Sequence, residues 1–308
     1  MKNTIFYWSS NNNARSGEGI LSKHFLSDLK KFKKSKIIKI PNNYKFENIF
    51  VKNYIYPLIG VFKLWIKYLN GNKICYINYL PLWNFLIFLL LPSKVILGPI
   101  TGTISSERNF FLKKKLEKIS KLIIILKFKK CLFANNFYKD YFNEHYHNYI
   151  ISELKFKRTK NKKKKFDLII YYRKNYDQKK NLYNLVTYLS QKKFKIVVIA
   201  DKIKSKDIIN LGYINENQLN LILKKTRCAI ANKENLYSYF TQNCLSKNLK
   251  VFYNKEFKKL EKFKLNNFYS IPYDNVRGAY KIIKKKQTLS IKLNKNIKLN
   301  FNDYFKNV

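Results

Sequence analysis

Short apolar runs of strand length, separated by longer stretches, are the feature that most constrains the fold of this chain. Between the first two runs, Leu21, Phe25, Leu29 and Phe32 recur at the spacing of one helix face, with lysines on the other side. Strands that alternate with helices form mostly parallel sheets, so the first half is predicted to be a βα domain. Its strands are predicted at residues 4–8, 36–40, 74–77, 94–97 and 131–134.

A run of like charges, KFKRTKNKKKK at residues 155–165, separates this half from a second alternation. Like charges repel one another and do not pack, so the run is predicted to be a solvated connection between domains; a phosphate- or membrane-binding arm is the alternative. The second alternation predicts strands at 167–172, 194–200, 228–231 and 250–253, and helices at 180–191, 216–225 and 237–247.

The chain of 308 residues is long enough for two domains. Its hydrophobic fraction of 46% excludes a disordered chain. The predicted organisation is an N-terminal acceptor-side Rossmann-like domain at 1–154, the basic linker at 155–165, a C-terminal nucleotide-sugar-binding Rossmann-like domain at 166–285, and a tail at 286–308 that is a candidate to pack back on the first domain.

The formal net charge of +45 predicts attraction to anionic surfaces, whether phospholipid headgroups, nucleic acid or phosphorylated substrates. Lysine and asparagine are also residues that an AT-rich genome favours through its codons. The charge by itself therefore does not choose among these partners.

Two segments have some membrane character. Residues 79–97 are apolar but carry Pro81, Pro92 and Lys94, which leaves less than the ~20 residues that a spanning helix needs, so a buried helix and a buried strand are predicted there. Residues 48–69 place lysines among large apolar side chains, a pattern suited to lying on a bilayer surface, and core packing is the alternative.

The four cysteines, Cys75, Cys131, Cys228 and Cys244, are widely spaced, which favours free thiols and a reducing cytosol. The apolar stretch at the N-terminus is too short for a signal peptide, so no export is predicted. His145 and His147 lie two residues apart, but the sequence offers no further ligands in an arrangement typical of zinc. Both are therefore predicted to be surface residues.

In doubly wound sheets ligands bind beyond the carboxyl ends of the strands, so residues just after each apolar run are candidate site residues. Glycines at such places let the backbone approach a ligand closely, and a plain turn is the alternative. The candidates in the first domain are Gly17, Glu18 and Gly19 after the first strand, and Gly98, Thr101 and Gly102 in the loop predicted after residue 97.

In the second domain, Arg173 directly follows the strand at 167–172, and Lys179 and Lys180 precede the next helix. An arginine offers a planar bidentate fork to phosphate, and a lysine offers a compact charge. These cations suit a diphosphate, with a solvated basic loop as the alternative.

The segment after the strand at 228–231 carries a resemblance. An acidic residue, Glu234, stands in a short loop that enters a helix, and Gln242 follows eight positions later. This resembles the donor-binding signature of GT-B glycosyltransferases, which usually have glutamate at both positions. Residues 211–214 also stand where that family has an equivalent element. The resemblance implies an α/β GT-B fold, in which two Rossmann-like domains face each other across a cleft.

The resemblance also implies roles for single residues. Arg173 and a lysine, Lys179 or Lys180, hold the donor pyrophosphate and stabilise the leaving nucleoside diphosphate. Glu234 accepts hydrogen bonds from hydroxyls of the transferred sugar, and Gln242 meets the ribose hydroxyls. Backbone amides at the helix start complete the diphosphate site, and these belong to Asn235, Leu236 and Tyr237.

The implied reaction transfers a sugar from a nucleotide-sugar donor to a glycan or lipid-linked glycan acceptor, in cell-surface polysaccharide synthesis. The resemblance implies no metal or other cofactor, because enzymes of that fold are usually metal-independent. The absence of an Asp-x-Asp triplet agrees with this and argues against a metal-dependent transferase. A cytoplasmic location with peripheral contact to an anionic membrane is expected. No specific nucleic acid is expected as a partner. Two alternatives stay open: a non-catalytic basic protein that binds membrane or nucleic acid, and a GT-B-like scaffold without activity.

Overall fold

The chain forms two compact units in a computed structural model, one from residues 1–151 with 299–308 and the other from residues 152–298. These are called the N-terminal unit and the C-terminal unit below. The residues whose structure is described are 4–9, 17–41, 51, 55–77, 80–101, 110–133, 142, 145–148, 164–174, 181–231, 236, 238–260, 265–291 and 304–305.

The N-terminal unit alternates strands with helices, as the sequence predicts. All of its described strand pairs are parallel, in the orders β2-β1-β3-β5 and β4-β6-β7-β8. The elements are β1 Thr4–Ser9, α1 Gly17–Phe32, β2 Lys36–Lys39, α2 Tyr56–Leu69, β3 Lys73–Ile77, β4 Leu80–Pro81, α3 Phe85–Leu90, β5 Ile96–Leu97, β6 Ile100–Thr101, α4 Phe110–Lys127, β7 Cys131–Phe133 and β8 Tyr146–Asn148.

Two helix faces show why this sequence folds as it does. The predicted apolar face of α1 is confirmed, because Leu21, Phe25 and Leu29 are fully or almost fully buried. The other face of the sheet is covered by α2, α3 and α4, whose buried side chains join one core around Trp8 and Tyr76. No helix in the described ranges is long and apolar enough to cross a membrane.

Two residues near the C-terminus belong to the N-terminal unit. Tyr304 and Phe305 are buried in the core that contains α1. The ring of Phe305 stacks on Phe32 at 5.5 Å and meets Phe25 edge-on at 5.4 Å. These two side chains are thus part of the core of the N-terminal unit.

The C-terminal unit contains one six-stranded sheet with the order β11-β10-β9-β12-β13-β14, in which every pair is parallel. Numbered from its own first strand, this is the order 3-2-1-4-5-6 of a Rossmann sheet. The elements are β9 Phe166–Tyr172, α5 Leu182–Gln191, β10 Ile196–Ala200, β11 Ile208–Asn210, α6 Glu216–Lys224, β12 Thr226–Ile230, α7 Tyr239–Ser246, β13 Lys250–Asn254, a 3₁₀ helix Lys255–Leu260, β14 Phe268–Ile271 and α8 Val276–Gln287.

Local sequence explains where these elements begin and end. The strand β10 is buried along its whole length, which its unbroken apolar run IVVIA indicates for a strand covered on both faces. Helix α6 starts with a capping box, in which Asn215 and Gln218 each bond the other's backbone N–H. At the other end of the unit, the buried Lys250 donates from Nζ to the carbonyls of Gln287 and Leu289, where α8 ends.

All four cysteines are free and buried. Burial raises the pKa of each thiol, so the thiols stay protonated at neutral pH. They pack as small apolar side chains, and the prediction of free thiols is confirmed.

Candidate functional site

The strand order of the C-terminal unit reverses between β9 and β12. From β9 the chain moves to β10 and β11 on one side, and then returns to β12 on the other side. In open α/β sheets, ligands bind outside the carboxyl ends of the strands at such a point. The residues that follow β9 and β12 are therefore the candidate site.

Arg173 is the first residue after β9 and is half-buried. Asp201 is the first residue after β10, and its backbone N–H donates to the carbonyl of Tyr172 at 3.0 Å. The carboxylate of Asp201 accepts the N–H of Lys174 at 2.8 Å and the hydroxyl of Tyr213 at 2.9 Å. Asp201 thus ties together the segments that follow β9, β10 and β11.

The backbone at this edge has an unusual conformation. Ala200, the last residue of β10, has a φ of 75°, in the left-handed region that side chains other than glycine seldom adopt. Its N–H donates to the carbonyl of Gly212, whose φ is 67°, at 2.9 Å. Such a conformation costs of order 1 kcal/mol.

The pKa of Tyr213 reflects the charges of Asp201 and Arg173. Burial, the hydrogen bond to Asp201 and the negative charge of that carboxylate raise the pKa of Tyr213, and the guanidinium of Arg173 opposes this rise. The positive charge of Arg173 therefore lies close to the pair formed by Asp201 and Tyr213. A guanidinium in this position can bind an anionic group at the carboxyl end of β9.

On the other side of the reversal, β12 ends at Ile230 and its extension is fixed by hydrogen bonds. The N–H of Ala231 donates to the carbonyl of Phe252 at 2.8 Å, and the carbonyl of Ala231 accepts the hydroxyl of the buried Tyr273. Leu236 is fully buried a few residues later.

Helix α7 begins at Tyr239, two residues later than the sequence predicts, because Ser238 is its N-cap. The Ser238 Oγ accepts the N–H of Thr241 at 3.2 Å. The rings of Tyr171 in β9 and Phe240 in α7 lie 6.0 Å apart, which brings the start of α7 beside β9. The backbone amide of Leu236 is predicted to lie at the helix start, but Leu236 precedes the helix. The amides of the first turn are those of residues 239–241.

Gln242, at the position where the GT-B signature usually has its second glutamate, lies in α7 and is only 3% exposed. Its backbone N–H donates to the carbonyl of Ser238 at 2.9 Å. The remaining candidates of this unit lie outside the described residues: Lys179, Lys180, Glu234, Asn235 and Tyr237.

The candidates of the N-terminal unit occupy two places. Gly17, Glu18 and Gly19 form the first turn of α1, at the helix start that the sequence predicts. Gly98 is buried and donates its N–H to the carbonyl of Tyr76 at 2.8 Å.

The prediction of a loop that includes Thr101 is wrong, because Ile100 and Thr101 form β6 and pair with β4 and β7. The loop between β5 and β6 is therefore Gly98 and Pro99 only. Gly102 lies outside the described residues.

The prediction that His145 and His147 are surface residues is also wrong, because both are half-buried. Nδ1 of His145 lies 2.8 Å from the carbonyl oxygen of Lys129. No group of three or more metal-ligating side chains occurs within the described part of the chain.

Sequence reasoning missed Asp201 and Tyr213. The rule that identifies Arg173, namely to take the first residue after an apolar run, also identifies Asp201 after the strand predicted at 194–200. Tyr213 lies beyond the short strand β11 and becomes recognisable only through its hydrogen bond to Asp201.

The sequence matches no protein-family model and no curated protein. Among solved structures, the chain is similar to the Methanocaldococcus jannaschii UDP-GlcNAc 2-epimerase in complex with UDP-GlcNAc and UDP, with a TM-score of 0.61 and 11% identity over 100% of this chain and 98% of that one. It is also similar to the sucrose-phosphate synthase of Thermosynechococcus elongatus, with a TM-score of 0.60 and 10% identity over 93% and 90% of the two chains. A third similar structure is S. aureus MnaA with UDP, with a TM-score of 0.55 and 10% identity over 94% and 89%.

These likenesses extend over nearly the whole chain, and their identities are low enough that they concern the fold alone. Together with the parallel sheets of both units, they establish the fold class that the sequence predicts. The chain is an α/β protein with the GT-B fold, built from two Rossmann-like domains.

Proposed function

We propose that this chain is a glycosyltransferase that takes its sugar from a nucleotide-sugar donor. The observation that carries the proposal is the position of Arg173, half-buried at the carboxyl end of β9, where the order of a Rossmann sheet reverses. A bidentate cation at this point suits a diphosphate, and the start of the following helix α7 lies beside β9.

In this proposal some residues bind the donor and others stabilise the leaving group. Arg173, with Lys179 or Lys180, neutralises the charge that develops on the departing nucleoside diphosphate. Glu234 holds hydroxyls of the sugar, Gln242 holds the ribose, and the first-turn amides of α7 contact the diphosphate. Most of the rate enhancement comes from position and charge, so the reaction needs no metal.

The proposal also includes the class of acceptor. A glycan or lipid-linked glycan in cell-surface polysaccharide synthesis fits a basic chain of net charge +45 that works at an anionic membrane from the cytoplasmic side. Gly17, Glu18, Gly19 and Gly98 are the candidates of the N-terminal unit for contact with this acceptor.

The test measures thermal unfolding with uridine, guanosine and cytidine diphosphates and their sugar conjugates. A ligand at one hundred times its dissociation constant adds about 2.7 kcal/mol of stability. Arg173→Ala is expected to weaken the effective nucleotide roughly 10- to 100-fold, because a hydrogen bond to a charged group contributes about 1.5 to 3 kcal/mol. Arg227→Ala is the matched control, since Arg227 is an exposed arginine near the amino end of β12 in the same unit.

A nucleotide effect lost equally in both variants would contradict the role of Arg173. No stabilisation by any of these ligands would favour the non-catalytic basic protein. Stabilisation without turnover in the presence of acceptors would favour the inactive scaffold.

A nucleotide-sugar 2-epimerase is the second candidate, supported by the likeness to the M. jannaschii enzyme. The two activities differ in their products. A transferase releases the nucleoside diphosphate in step with acceptor glycosylation, whereas an epimerase returns a nucleotide sugar of unchanged mass. Separation of the sugar nucleotides by chromatography after incubation distinguishes the two outcomes.

A further inference from the structure

The outer side of three helices in the N-terminal unit carries large apolar side chains that are exposed. Isolated exposed apolar residues are normal on a protein surface, whereas a contiguous patch indicates an interaction site. Leu126 is 86% exposed, Leu69 is 75% exposed and Phe62 is 69% exposed. The exposed set used here is Phe62, Ile66 and Leu69 in α2, Leu89 in α3, and Leu122 and Leu126 in α4, and it is called the apolar face.

These side chains lie on the helix faces that are turned away from the core. Each of the three helices buries its opposite face in one common core, through residues such as Leu64 in α2, Phe88 in α3 and Ile124 in α4. Because all three helices pack inward on this core, their exposed rows all point outward. The residues at spacings of four and three in α2 and of four in α4 are rows on a helix surface.

Two hydrogen bonds join the helix ends that carry the face. The indole Nε1 of Trp65 in α2 donates to the carbonyl of Leu90 at 2.6 Å. Nζ of Lys127 in α4 donates to the carbonyl of Leu89. The last turn of α3 therefore contacts both α2 and α4, so the three exposed rows belong to neighbouring helices.

The charges on these helices are almost all positive. The sequence of α2 carries two lysines and that of α4 carries six, against a single acidic residue, Glu117. Lys115 and Lys118 in α4 are exposed. Lysines with long apolar stems beside exposed aliphatic side chains suit a boundary between hydrocarbon and anionic headgroups.

We propose that the apolar face seats this chain on an anionic phospholipid bilayer, with its aliphatic side chains among the acyl chains and its lysines at the headgroups. A second copy of the chain is a poorer occupant, because two such faces would bring their lysines together. The proposal deepens the part of the proposed function that places the chain at an anionic membrane, because it names the surface that makes the contact. Vesicle binding is measured separately from nucleotide binding, so either result can fail without the other.

Vesicle binding of the full chain tests the proposal. The probes are vesicles of phosphatidylcholine mixed with phosphatidylglycerol, and vesicles of phosphatidylcholine only. The test variant combines Leu69→Ser, Leu122→Ser and Leu126→Ser. The matched control combines Ile209→Ser, Leu221→Ser and Leu289→Ser, which are exposed aliphatic positions of the C-terminal unit. All six side chains are exposed, so both variants are expected to unfold at the temperature of the wild type.

The wild type and the control are expected to bind the phosphatidylglycerol vesicles, and the test variant is expected to partition about 100-fold less strongly. Raising the salt from about 0.05 M to about 0.5 M is expected to weaken binding of the wild type, because headgroup attraction is screened. A second variant, Lys115→Gln with Lys118→Gln, is expected to weaken binding more than Lys284→Gln with Lys285→Gln does.

Equal vesicle binding by the wild type and the serine test variant would overturn the proposal, because bulk charge would then explain the binding. Absence of vesicle binding, together with a dimer in sedimentation that only the test variant loses, would assign the face to a second copy instead.

Discussion

The hydroxyl of Tyr304 accepts a hydrogen bond from the backbone N–H of Leu97 at 2.9 Å and lies 3.1 Å from the carbonyl of the same residue, to which it donates. Tyr304 is 1% exposed. One side chain near the C-terminus therefore satisfies both backbone groups at the end of β5, in the middle of the core of the N-terminal unit.

The change Tyr304→Phe is expected to lower the free energy of unfolding by about 1 to 3 kcal/mol, because it leaves two buried backbone groups without their partner. Urea denaturation followed by circular dichroism measures the loss. The control is Tyr188→Phe, since the ring of Tyr188 contacts Tyr280 and Lys192 and the change preserves these contacts. It is expected to change stability by less than about 0.5 kcal/mol. Equal effects of the two changes would show that the Leu97 contacts contribute nothing.

Gly60 in α2 lies against the ring of Trp8. A Cβ at residue 60 would come 2.4 Å from Cδ2 and Cε2 of that ring, which is itself stacked on Tyr76 at 5.1 Å and fully buried. Helix propensity favours alanine over glycine by about 1 kcal/mol. The change Gly60→Ala is nevertheless expected to destabilise the chain by about 1 to 3 kcal/mol, because the packed rings have no room to move.

The measurement is thermal unfolding of Gly60→Ala beside Asn217→Ala, a change at an exposed position of α6. The second change adds helix propensity without a clash, so it is expected to leave stability unchanged or slightly raised. If Gly60→Ala were as stable as Asn217→Ala, the close packing of α2 on Trp8 would be wrong.

The sequence predicted the elements with strong periodicity and missed those whose position depends on tertiary contacts. The strands β9, β10, β12 and β13 are apolar runs that need burial on both faces, so their pattern is visible without a structure. By contrast, the short strand β6 exists only because β4 and β7 flank it, and no local pattern indicates this.

The candidate site was predictable to a similar extent. Arg173 follows from its position at a strand end, whereas the order of the strands, which turns that end into a binding point, is a property of the whole sheet. Helix α7 starts later than the sequence predicts because its N-cap is Ser238. A serine can either cap a helix or lie within one, so the sequence alone does not fix the start. The role of Asp201 depends on contacts with Lys174 and Tyr213, which are 27 and 12 residues away in the sequence.

The pair formed by Asp201 and Tyr213 is expected to couple energetically. A double-mutant cycle with Asp201→Asn and Tyr213→Phe is expected to give a coupling of about 0.5 to 1.5 kcal/mol at pH 7, since both side chains are partly exposed. The pKa of Tyr213 is raised in the folded chain, so the folded state favours its protonated form. The coupling is thus fully present below the ordinary tyrosine pKa of about 10 and is lost as the pH rises through the raised value.

Urea denaturation of the four proteins at pH 7 and at a pH above 10 measures this coupling. Weaker nucleotide binding by Asp201→Asn is also expected, because Asp201 positions the segment that carries Arg173. A coupling near zero at pH 7 would mean that the hydrogen bond between the two side chains does not organise this edge of the sheet.

Gln242 gives a test of the donor site that also measures the cost of the departure from the usual glutamate. If Gln242 contacts the ribose hydroxyls, Gln242→Glu replaces neutral hydrogen bonds with charge-assisted ones, which are about twice as strong. The affinity for the effective nucleotide is therefore expected to rise about tenfold, a change of about 1.4 kcal/mol. The protein without nucleotide is expected to lose about 1 to 3 kcal/mol of stability, because a carboxylate would replace an amide that is only 3% exposed.

Isothermal titration with the nucleotide measures the first effect, and thermal unfolding without it measures the second. Asn243→Asp is the matched control, since Asn243 is a buried amide in the same helix and has no proposed contact with the donor. This control is expected to lose stability without a gain in affinity. A loss of stability in both variants with no gain in affinity for either would remove Gln242 from the ribose site, and Arg173 would then remain the one described residue that supports donor binding through its side chain.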